Sequence, residues 1–182
     1  MRGAVGVAVL AVTMVALSTM ATAAPARTKL KLTSPAFRDG GQIPTGFTCD
    51  GASASPPLRW KGVPKKTVEL AVTMEDPDTA IRTFVHWVAW GIDPKAGQLP
   101  EQTIPATVHQ GKNGAGQNKY LGPCPPSGNH HYVFTLYALS KPVTLAPTAT
   151  IGELRAAIKG TVKGKAKLVG RYERGAAPAG AA

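Results

Sequence analysis

The amino-acid sequence predicts a mainly β protein that folds as one small domain. Its 182 residues suit a single domain with a core of its own. Glycine and proline are frequent, at 20 and 16 residues, and this composition is typical of many turns between short strands rather than of long helices. Apolar segments of strand length recur along the chain between clusters of residues that break regular structure.

Five segments have the pattern of β-strands. Residues 30–33 alternate between polar and apolar side chains, as a half-buried strand does. Residues 83–92 are apolar on both faces, which is typical of a central strand covered from two sides. The other three predicted strands are residues 68–74, 133–139 and 166–172.

Two long stretches between these strands carry little regular pattern. Residues 36–59 are rich in glycine, proline and aspartate. Residues 109–129 predict one long loop, which in a compact domain is usually functional or disordered. A helix is predicted after Thr150, because Thr150 and Glu153 make a capping box. Its apolar face comprises Leu154, Ala157 and Ile158.

The first 23 residues have the features of a signal peptide. Arg2 gives a positive start, residues 4–20 are almost wholly apolar, and Ala21-Thr22-Ala23 is the small-x-small pattern at which signal peptidase cleaves. A retained membrane anchor is the alternative, but the apolar run is short for a spanning helix. The sequence therefore predicts an exported protein, periplasmic or secreted, with one domain over residues 24–175 and a disordered tail over residues 176–182.

The net charge indicates which partners to expect, and the two cysteines predict a disulfide. Removal of the leader leaves 20 basic and 10 acidic residues, a net charge of +10, which favours anionic partners or serves solubility alone. No arginine-rich helix, zinc finger or aromatic RNA-binding pattern is present, so nucleic acid is not expected. Peripheral contact with an acidic membrane fits the charge, although no amphipathic anchor helix is evident. Cys49 and Cys124 lie in turn-rich segments, which favours a disulfide after export over two buried free thiols.

Titratable side chains gather near the ends of the predicted strands. Two aspartates follow one strand, one histidine lies within the next, and two histidines precede a third: Asp76, Asp78, His86, His130 and His131. If these strands run antiparallel, the five side chains ring one pocket. The alternation of a strand places His86 on one face with Phe84, Val88 and Trp90. Each feature alone has an ordinary structural explanation; Asp-Pro-Asp, for example, is most often only a turn. The occurrence of all of them in this order along the chain is what favours a binding site.

The same residues lie in motifs that resemble the phosphatidylethanolamine-binding protein family, and within it the bacterial Raf-kinase-inhibitor-like branch. The resemblance runs from Leu32 to Tyr172. Its motifs are Met74-Glu75-Asp76-Pro77-Asp78, His86-Trp87-Val88, Gly122-Pro123-Cys124-Pro125-Pro126-Ser127-Gly128-Asn129-His130-His131-Tyr132, and Cys49-Asp50-Gly51 followed by Ser55-Pro56-Pro57-Leu58. Two positions depart from the family pattern. Ala80 replaces a second proline, and His131 replaces an arginine, which is permanently charged where histidine is not.

The resemblance implies two antiparallel β-sheets with a few short helices, and a small cavity that holds phosphate, acetate or a phosphoethanolamine head group. It implies binding rather than catalysis, without a cofactor. Carried over by motif, the ligand-binding residues are Asp76, Asp78, His86, Pro125, Pro126, His130 and Tyr132.

The expected chemistry divides the pocket between donors and acceptors. We expect His86, His130 and Tyr132 to donate to a phosphate, and the two aspartates to orient the histidines or to accept from an ammonium group. This hypothesis predicts weaker phosphate binding as the pH rises through the histidine range, near 6.5.

Three other functions are alternatives to ligand binding, and the sequence argues against the first two. An enzyme is not expected, because no Gly-x-Ser-x-Gly elbow and no nucleophile beside a candidate base is present. A metal site is not expected either, because the spacing of Asp76, Asp78, His86 and His130 matches no established motif. The third alternative is an inhibitor or interaction protein that acts on a secreted protease or another protein partner, and a homodimer is compatible with all of these functions.

Overall fold

The computed structural model describes residues 29–175, together with Met1 and Gly3. Apart from those two residues, the predicted signal peptide lies outside the described residues, and so does the predicted tail at 176–182. In the part of the chain that is described, no helix is long and apolar enough to cross a membrane.

Residues 29–175 form nine β-strands, one short α-helix and one turn of 3-10 helix at Thr45–Phe47. The strands are β1 (Lys31–Thr33), β2 (Gly41–Gln42), β3 (Leu58–Lys61), β4 (Glu69–Asp76), β5 (Phe84–Ile92), β6 (Gln98–Leu99), β7 (His109–Gln110), β8 (His130–Leu139) and β9 (Val162–Tyr172), and the helix is α1 (Ile151–Ala157). The mainly β class predicted from the sequence is confirmed.

The strands make two sheets. One has three strands in the order β1-β3-β6, and the other has six in the order β2-β9-β8-β4-β5-β7. Neighbouring strands are antiparallel except for β2, which runs parallel to β9 over two residues. The two-sheet architecture implied by the resemblance is therefore confirmed, with this one parallel pairing added.

Each of the five predicted strands is present, but two of them begin earlier than the apolar pattern indicated. Strand β8 starts at His130, which pairs with Tyr172, and β9 starts at Val162. The early part of β9 alternates lysines with small residues, so it carries little hydrophobic signal. The predicted irregular stretches at 36–59 and 109–129 contain the two-residue strands β2 and β7 and the first part of β3, all too short for a pattern to reveal.

Both faces of the six-stranded sheet are covered. The larger core cluster fills the space between the sheets and includes Trp60 of β3 and Trp87 of β5. On the opposite face, Leu154 of α1 packs in a second cluster with Val88 and Trp90. The predicted capping box holds α1, because the Thr150 hydroxyl accepts from the Glu153 N–H while the Glu153 carboxylate accepts from the Thr150 N–H. The prediction that residues 83–92 are covered from two sides is confirmed.

Candidate functional site

The pairing of β4 with two neighbours brings the predicted polar groups to one end of the large sheet. Strand β4 runs antiparallel to both β5 and β8. At its end, Asp76 pairs with Phe84 of β5, and Glu75 pairs with Val133 of β8. The ends of three strands therefore meet where the aspartates follow one strand and the histidines begin another, as the sequence predicted.

A β-bulge sets the direction of His86. The pairing of β4 with β5 passes from Met74–Trp87 directly to Glu75–Val85, so His86 has no partner on β4. Such an extra residue bends the strand and redirects a side chain. The His86 ring lies edge-on to Tyr132, 5.1 Å between centroids, and Tyr132 belongs to the core between the sheets.

The face predicted for His86 is therefore wrong in part. Phe84 does lie beside it, at 4.9 Å between ring centroids. Val88 and Trp90, however, pack in the cluster on the opposite face. The bulge changes the face on which alternate residues lie, and a strict two-residue repeat cannot reveal that change.

Asp76 and His130 form a largely buried pair. The Nδ1 of His130 lies 2.7 Å from Oδ2 of Asp76, and the two side chains are only 12% and 3% exposed. The other oxygen of Asp76 accepts from the backbone N–H of Asp78 at 2.8 Å. With Nδ1 committed to the carboxylate, Nε2 is the ring nitrogen of His130 that remains for a ligand.

Asp78 and His131 form a second pair on the surface. Oδ2 of Asp78 accepts from the backbone N–H of His131 at 2.6 Å and from its Nδ1 at 2.7 Å. Although partial burial of the carboxyl opposes it, these hydrogen bonds lower the pKa of Asp78. The histidine that replaces the family's arginine thus binds a carboxylate of the Asp-Pro-Asp motif. Asp78, which the resemblance assigns to the ligand-binding residues, is thus bonded to His131 at the surface and not to the Asp76–His130 pair.

His86 is buried and bonded to the loop that precedes β8. Its Nδ1 donates to the carbonyl oxygen of Leu121 at 2.8 Å. Burial disfavours the imidazolium and lowers the pKa of His86, and the Leu121 carbonyl offsets this only in part. The ring is therefore neutral near pH 7, and its Nε2 accepts a hydrogen bond rather than donating one. This acceptor role differs from the donor role that the sequence predicts for His86.

Tyr132 presents a buried hydroxyl without a partner. The side chain is fully buried, and its hydroxyl oxygen makes no hydrogen bond of good geometry within the described chain, although the Asp76 carboxylate and the Cys124 backbone lie near it. Burial, and then the nearby charge of Asp76, raise the pKa of Tyr132, so the hydroxyl stays protonated. A buried hydroxyl that bonds to nothing is costly, and a bound ligand atom would remove that cost.

The loop that supplies Leu121 is fastened to the segment at 47–53. Cys49 and Cys124 form a disulfide with a Cα–Cα distance of 5.4 Å, which confirms the predicted bond. The Cys49 N–H also donates to the Pro123 carbonyl at 3.0 Å. Gly122 fits this contact because a side chain there would lie 2.8 Å from the Phe47 carbonyl.

The two predicted prolines of this loop differ in their surroundings. Pro125 is buried, whereas Pro126 is exposed to solvent. Of the two, only Pro125 is enclosed as a wall of a pocket would be. Pro126 remains a prediction without a contact to support it.

A polar cluster beside His130 was not predicted as part of the site. Tyr172 is the register partner of His130, and its hydroxyl donates to Oδ2 of Asp50 at 2.8 Å. Arg174 donates to the same carboxylate through two nitrogens, and these bonds, Arg174 first and Tyr172 second, lower the pKa of Asp50. The Cys49-Asp50-Gly51 motif of the family resemblance contains Asp50 and could have indicated this residue. Arg174 lies after Tyr172, where the resemblance ends, so no motif indicated it.

Two further points bear on what the site can hold. Among the described residues, no group of three or more histidine, cysteine, aspartate or glutamate side chains is placed to bind a metal ion. Surface cavities of about 380 and 350 Å³ lie elsewhere, one between β1 and β9 and one beside the start of β5. Neither is lined by Asp76, His86 or His130.

Comparison with known proteins gives a consistent picture. The family described as phosphatidylethanolamine-binding protein matches residues 33–173. A UPF0098 protein of Methanothermobacter thermautotrophicus is 42% identical over 156 residues, covering 80% of this chain and 100% of its own. The predicted lipoprotein LppC of Mycobacterium tuberculosis is 43% identical over 154 residues, covering 84% of this chain and 76% of its own.

Solved structures share the fold. The phosphatidylethanolamine-binding protein homologue CT736 of Chlamydia trachomatis superposes with a TM-score of 0.78 at 34% identity, covering 81% of this chain and 99% of its own. YbcL of E. coli, described as a member of the mammalian family, gives 0.74 at 28% identity, covering 80% of this chain and 98% of its own.

Proposed function

The chain belongs to the phosphatidylethanolamine-binding protein family, and on that premise we propose that it binds a small anionic ligand, a phosphate or a phosphoethanolamine-type head group, at the end of β4. The observation that carries the proposal is the Tyr132 hydroxyl, which is buried and protonated and makes no hydrogen bond of good geometry in the described chain. Around it stand two histidines whose Nδ1 atoms are already bonded, so both offer Nε2. This arrangement supports a site that a ligand completes.

The polarity of the site suits a ligand with both charges. The Tyr132 hydroxyl donates and therefore suits a phosphate oxygen. The neutral ring of His86 and the carboxyl oxygens of Asp76 are acceptors, so both suit an ammonium group or a protonated phosphate oxygen. A zwitterionic head group meets both requirements, and inorganic phosphate meets the first alone.

We propose binding rather than catalysis as the role of the site. In the described part of the chain, the His130 ring bonds to the Asp76 carboxylate and the His86 ring bonds to the Leu121 carbonyl. No described serine, threonine or cysteine side chain bonds to either ring. A histidine that activates a nucleophile needs that group within hydrogen-bond reach.

Export is part of the same proposal. The predicted signal peptide, the disulfide and the relative described as a lipoprotein are all compatible with a periplasmic or secreted protein. A natural ligand carried on a membrane lipid is accessible from that side of the membrane.

Calorimetry on Tyr132→Phe tests the proposal directly. We expect phosphoethanolamine to bind the wild-type protein and to bind Tyr132→Phe about tenfold more weakly or worse, since a hydrogen bond to a charged group such as phosphate contributes about 1.5–3 kcal/mol. The free energy of unfolding should stay the same or rise, because the variant removes an unpaired buried hydroxyl. Tyr137→Phe is the matched control, since Tyr137 is also buried in β8 but packs in the cluster on the opposite face. Equal affinity in the two variants, or no binding by the wild type, would contradict the proposal.

A further inference from the structure

The side of the molecule formed by β1 and β9 carries an open stretch of sheet edge. Strand β1 is the edge strand of the three-stranded sheet. Strand β9 pairs with β8 along its length, but on its other side β2 pairs with Gly170 and Arg171 alone. The earlier part of β9 is therefore an edge of the large sheet, and the cavity of about 380 Å³ lies as a groove between this edge and β1.

The bonds of Val169 show which way the backbone groups of this edge point. The Asp39 carboxylate accepts from the Val169 N–H at 2.8 Å, and the Gly40 N–H donates to the Val169 carbonyl at 2.7 Å. Alternate residues of an antiparallel strand turn these groups to the same side, so Lys165 and Lys167 also direct their N–H and C=O groups away from β8. In the described part of the chain these groups of Lys165 and Lys167 have no hydrogen-bond partner.

The open stretch of the edge has two defined ends. At one end a side chain on Gly164 would lie 2.8 Å from the Pro64 ring, so Pro64 closes the edge there. At the other end Asp39 and Gly40 already bond to Val169. Residues 165–168 remain open, and they span about 13 Å at about 3.3 Å per residue. This length suits a short extended segment.

The side chains along the open stretch alternate between two environments. Ala166 and Leu168 belong to the core between the sheets and line the groove together with Phe37. Lys165 and Lys167 are exposed on the other face of the sheet. Residues opposite each other in paired strands project to the same face. A strand added to this edge therefore places alternate side chains in the groove and beside the two lysines.

The charges that line the groove are mainly positive. Lys31, Arg38 and Lys167 are exposed there, and none of them takes part in an ion pair among the described residues. Asp39 is the acidic residue of the lining, and its carboxylate is bonded to the Val169 N–H. This surplus of positive charge favours an acidic occupant. It disfavours a second copy of the chain, since lysines along an edge oppose pairing between copies.

We propose that this edge binds an acidic, extended segment of a partner protein, which adds to β9 as a short strand. In this mode of recognition, main-chain hydrogen bonds supply affinity and alternate side chains supply specificity. The segment should alternate acidic with apolar residues, so that the apolar ones enter the groove beside Phe37 and the acidic ones lie beside Lys165 and Lys167. The surface is separate from the phosphate site, because neither Asp76 nor His130 lines the groove.

Nuclear magnetic resonance with two blocked peptides tests the proposal on the wild-type protein. One peptide alternates glutamate and valine, and the other has the same composition with the glutamates grouped at one end. We expect the alternating peptide to shift the amide signals of Lys165 and Lys167 and, at saturation, to slow their hydrogen exchange at least about fivefold, because both amides gain a hydrogen bond. The grouped peptide should bind about fivefold more weakly or not at all.

Two substitutions at one position separate the backbone from the charge. Lys167→Ala and Lys167→Pro both remove the ammonium group, but only proline removes the outward N–H, and proline is tolerated where an edge N–H faces solvent. We expect Lys167→Pro to bind the alternating peptide about fivefold more weakly than Lys167→Ala. Lys167→Glu should weaken binding further than Lys95→Glu, the matched control, since Lys95 precedes β6 at the opposite edge of the small sheet.

The other outcomes overturn the proposal. Failure of the alternating peptide to bind, equal affinity for the two peptides, or shifts that leave Lys165 and Lys167 unchanged would exclude strand addition at this edge. Equal affinity of Lys167→Pro and Lys167→Ala would exclude a backbone hydrogen bond at Lys167. Self-association of the wild-type protein that Lys167→Pro abolishes, measured by sedimentation, would assign the edge to a second copy of the chain instead.

Discussion

Two Asp–His pairs lie at the same end of the large sheet, and they share the same bond between imidazole and carboxylate but differ in exposure. Each joins Nδ1 to a carboxylate oxygen at 2.7 Å. The side chains of the Asp76–His130 pair are 3% and 12% exposed, whereas those of the Asp78–His131 pair are 37% and 42% exposed. Successive residues of β8 lie on opposite faces of the sheet, so His130 is largely buried while the adjacent His131 is exposed to solvent. Burial, and not the distance between Nδ1 and the carboxylate, therefore distinguishes the two pairs, and our proposal assigns the ligand to the less exposed one.

The largest effect should separate the two aspartates. Asp76→Ala leaves a buried histidine without its carboxylate, and we expect a loss of about 3 kcal/mol in the free energy of unfolding. Asp78→Ala breaks a solvated pair and should cost less than about 1 kcal/mol. Urea denaturation measures both values. Equal losses would mean that burial does not distinguish the pairs.

Ligand affinity should separate the two histidines next. His130→Ala removes a ring nitrogen that faces the buried site, and we expect phosphoethanolamine to bind about tenfold more weakly or worse, because hydrogen bonds to charged groups contribute about 1.5–3 kcal/mol. His131→Ala is the matched control and should change the affinity by less than about twofold. Calorimetry decides, and a comparable loss in both variants would assign the surface pair to the site.

A smaller effect concerns pH and the buried side of the sheet. Because burial lowers the pKa of His86 in the folded protein below its unfolded value near 6.5, His86 favours folding above pH 6.5, and this stability is lost as the pH falls through the folded pKa. The free energy of unfolding of the wild type should therefore fall between pH 7.5 and pH 5 by more than that of His86→Asn, which keeps a donor for the Leu121 carbonyl. Parallel curves would show that His86 does not resist protonation.

The smallest effect lies at lower pH and belongs to the exposed pair. The pKa of Asp78 is lowered on folding, so its contribution is complete above the unfolded value near 3.9 and is lost as the pH falls through the lower folded value. The difference in free energy of unfolding between wild type and Asp78→Asn should shrink from pH 5 to pH 2.5. A constant difference would mean that the carboxylate charge plays no part. His86 and Asp78 thus respond in separate pH ranges.

Much of the fold could be predicted from the sequence because its long strands are apolar runs of strand length bounded by residues that break regular structure. Strands β4, β5 and β8 are long enough for such apolar runs to be recognised. The capping box of Thr150 and Glu153 predicts the start of the helix. Strands β2, β6 and β7 have two residues each and are defined by partners far along the chain. The lysine-rich start of β9 is held by pairing with β8, which no local pattern records.

The candidate site divides in the same way. The meeting of Asp76 with His130 follows from an antiparallel pairing of strands, and that could be predicted. The pairing of Asp78 with His131 and the acceptor role of His86 depend on burial and on a loop carbonyl, which are properties of the folded chain.

The bulge at His86 has a consequence for inheritance. Trp87, Val85 and Phe84 pair with Met74, Glu75 and Asp76, as they would in a regular hairpin from which His86 was absent. A deletion of one codon at this position should therefore remove the histidine and leave every other residue of the hairpin opposite its present partner. Lineages could gain or lose this group in a single event while keeping the sheet, so the scaffold and its ligand chemistry are free to evolve at different rates.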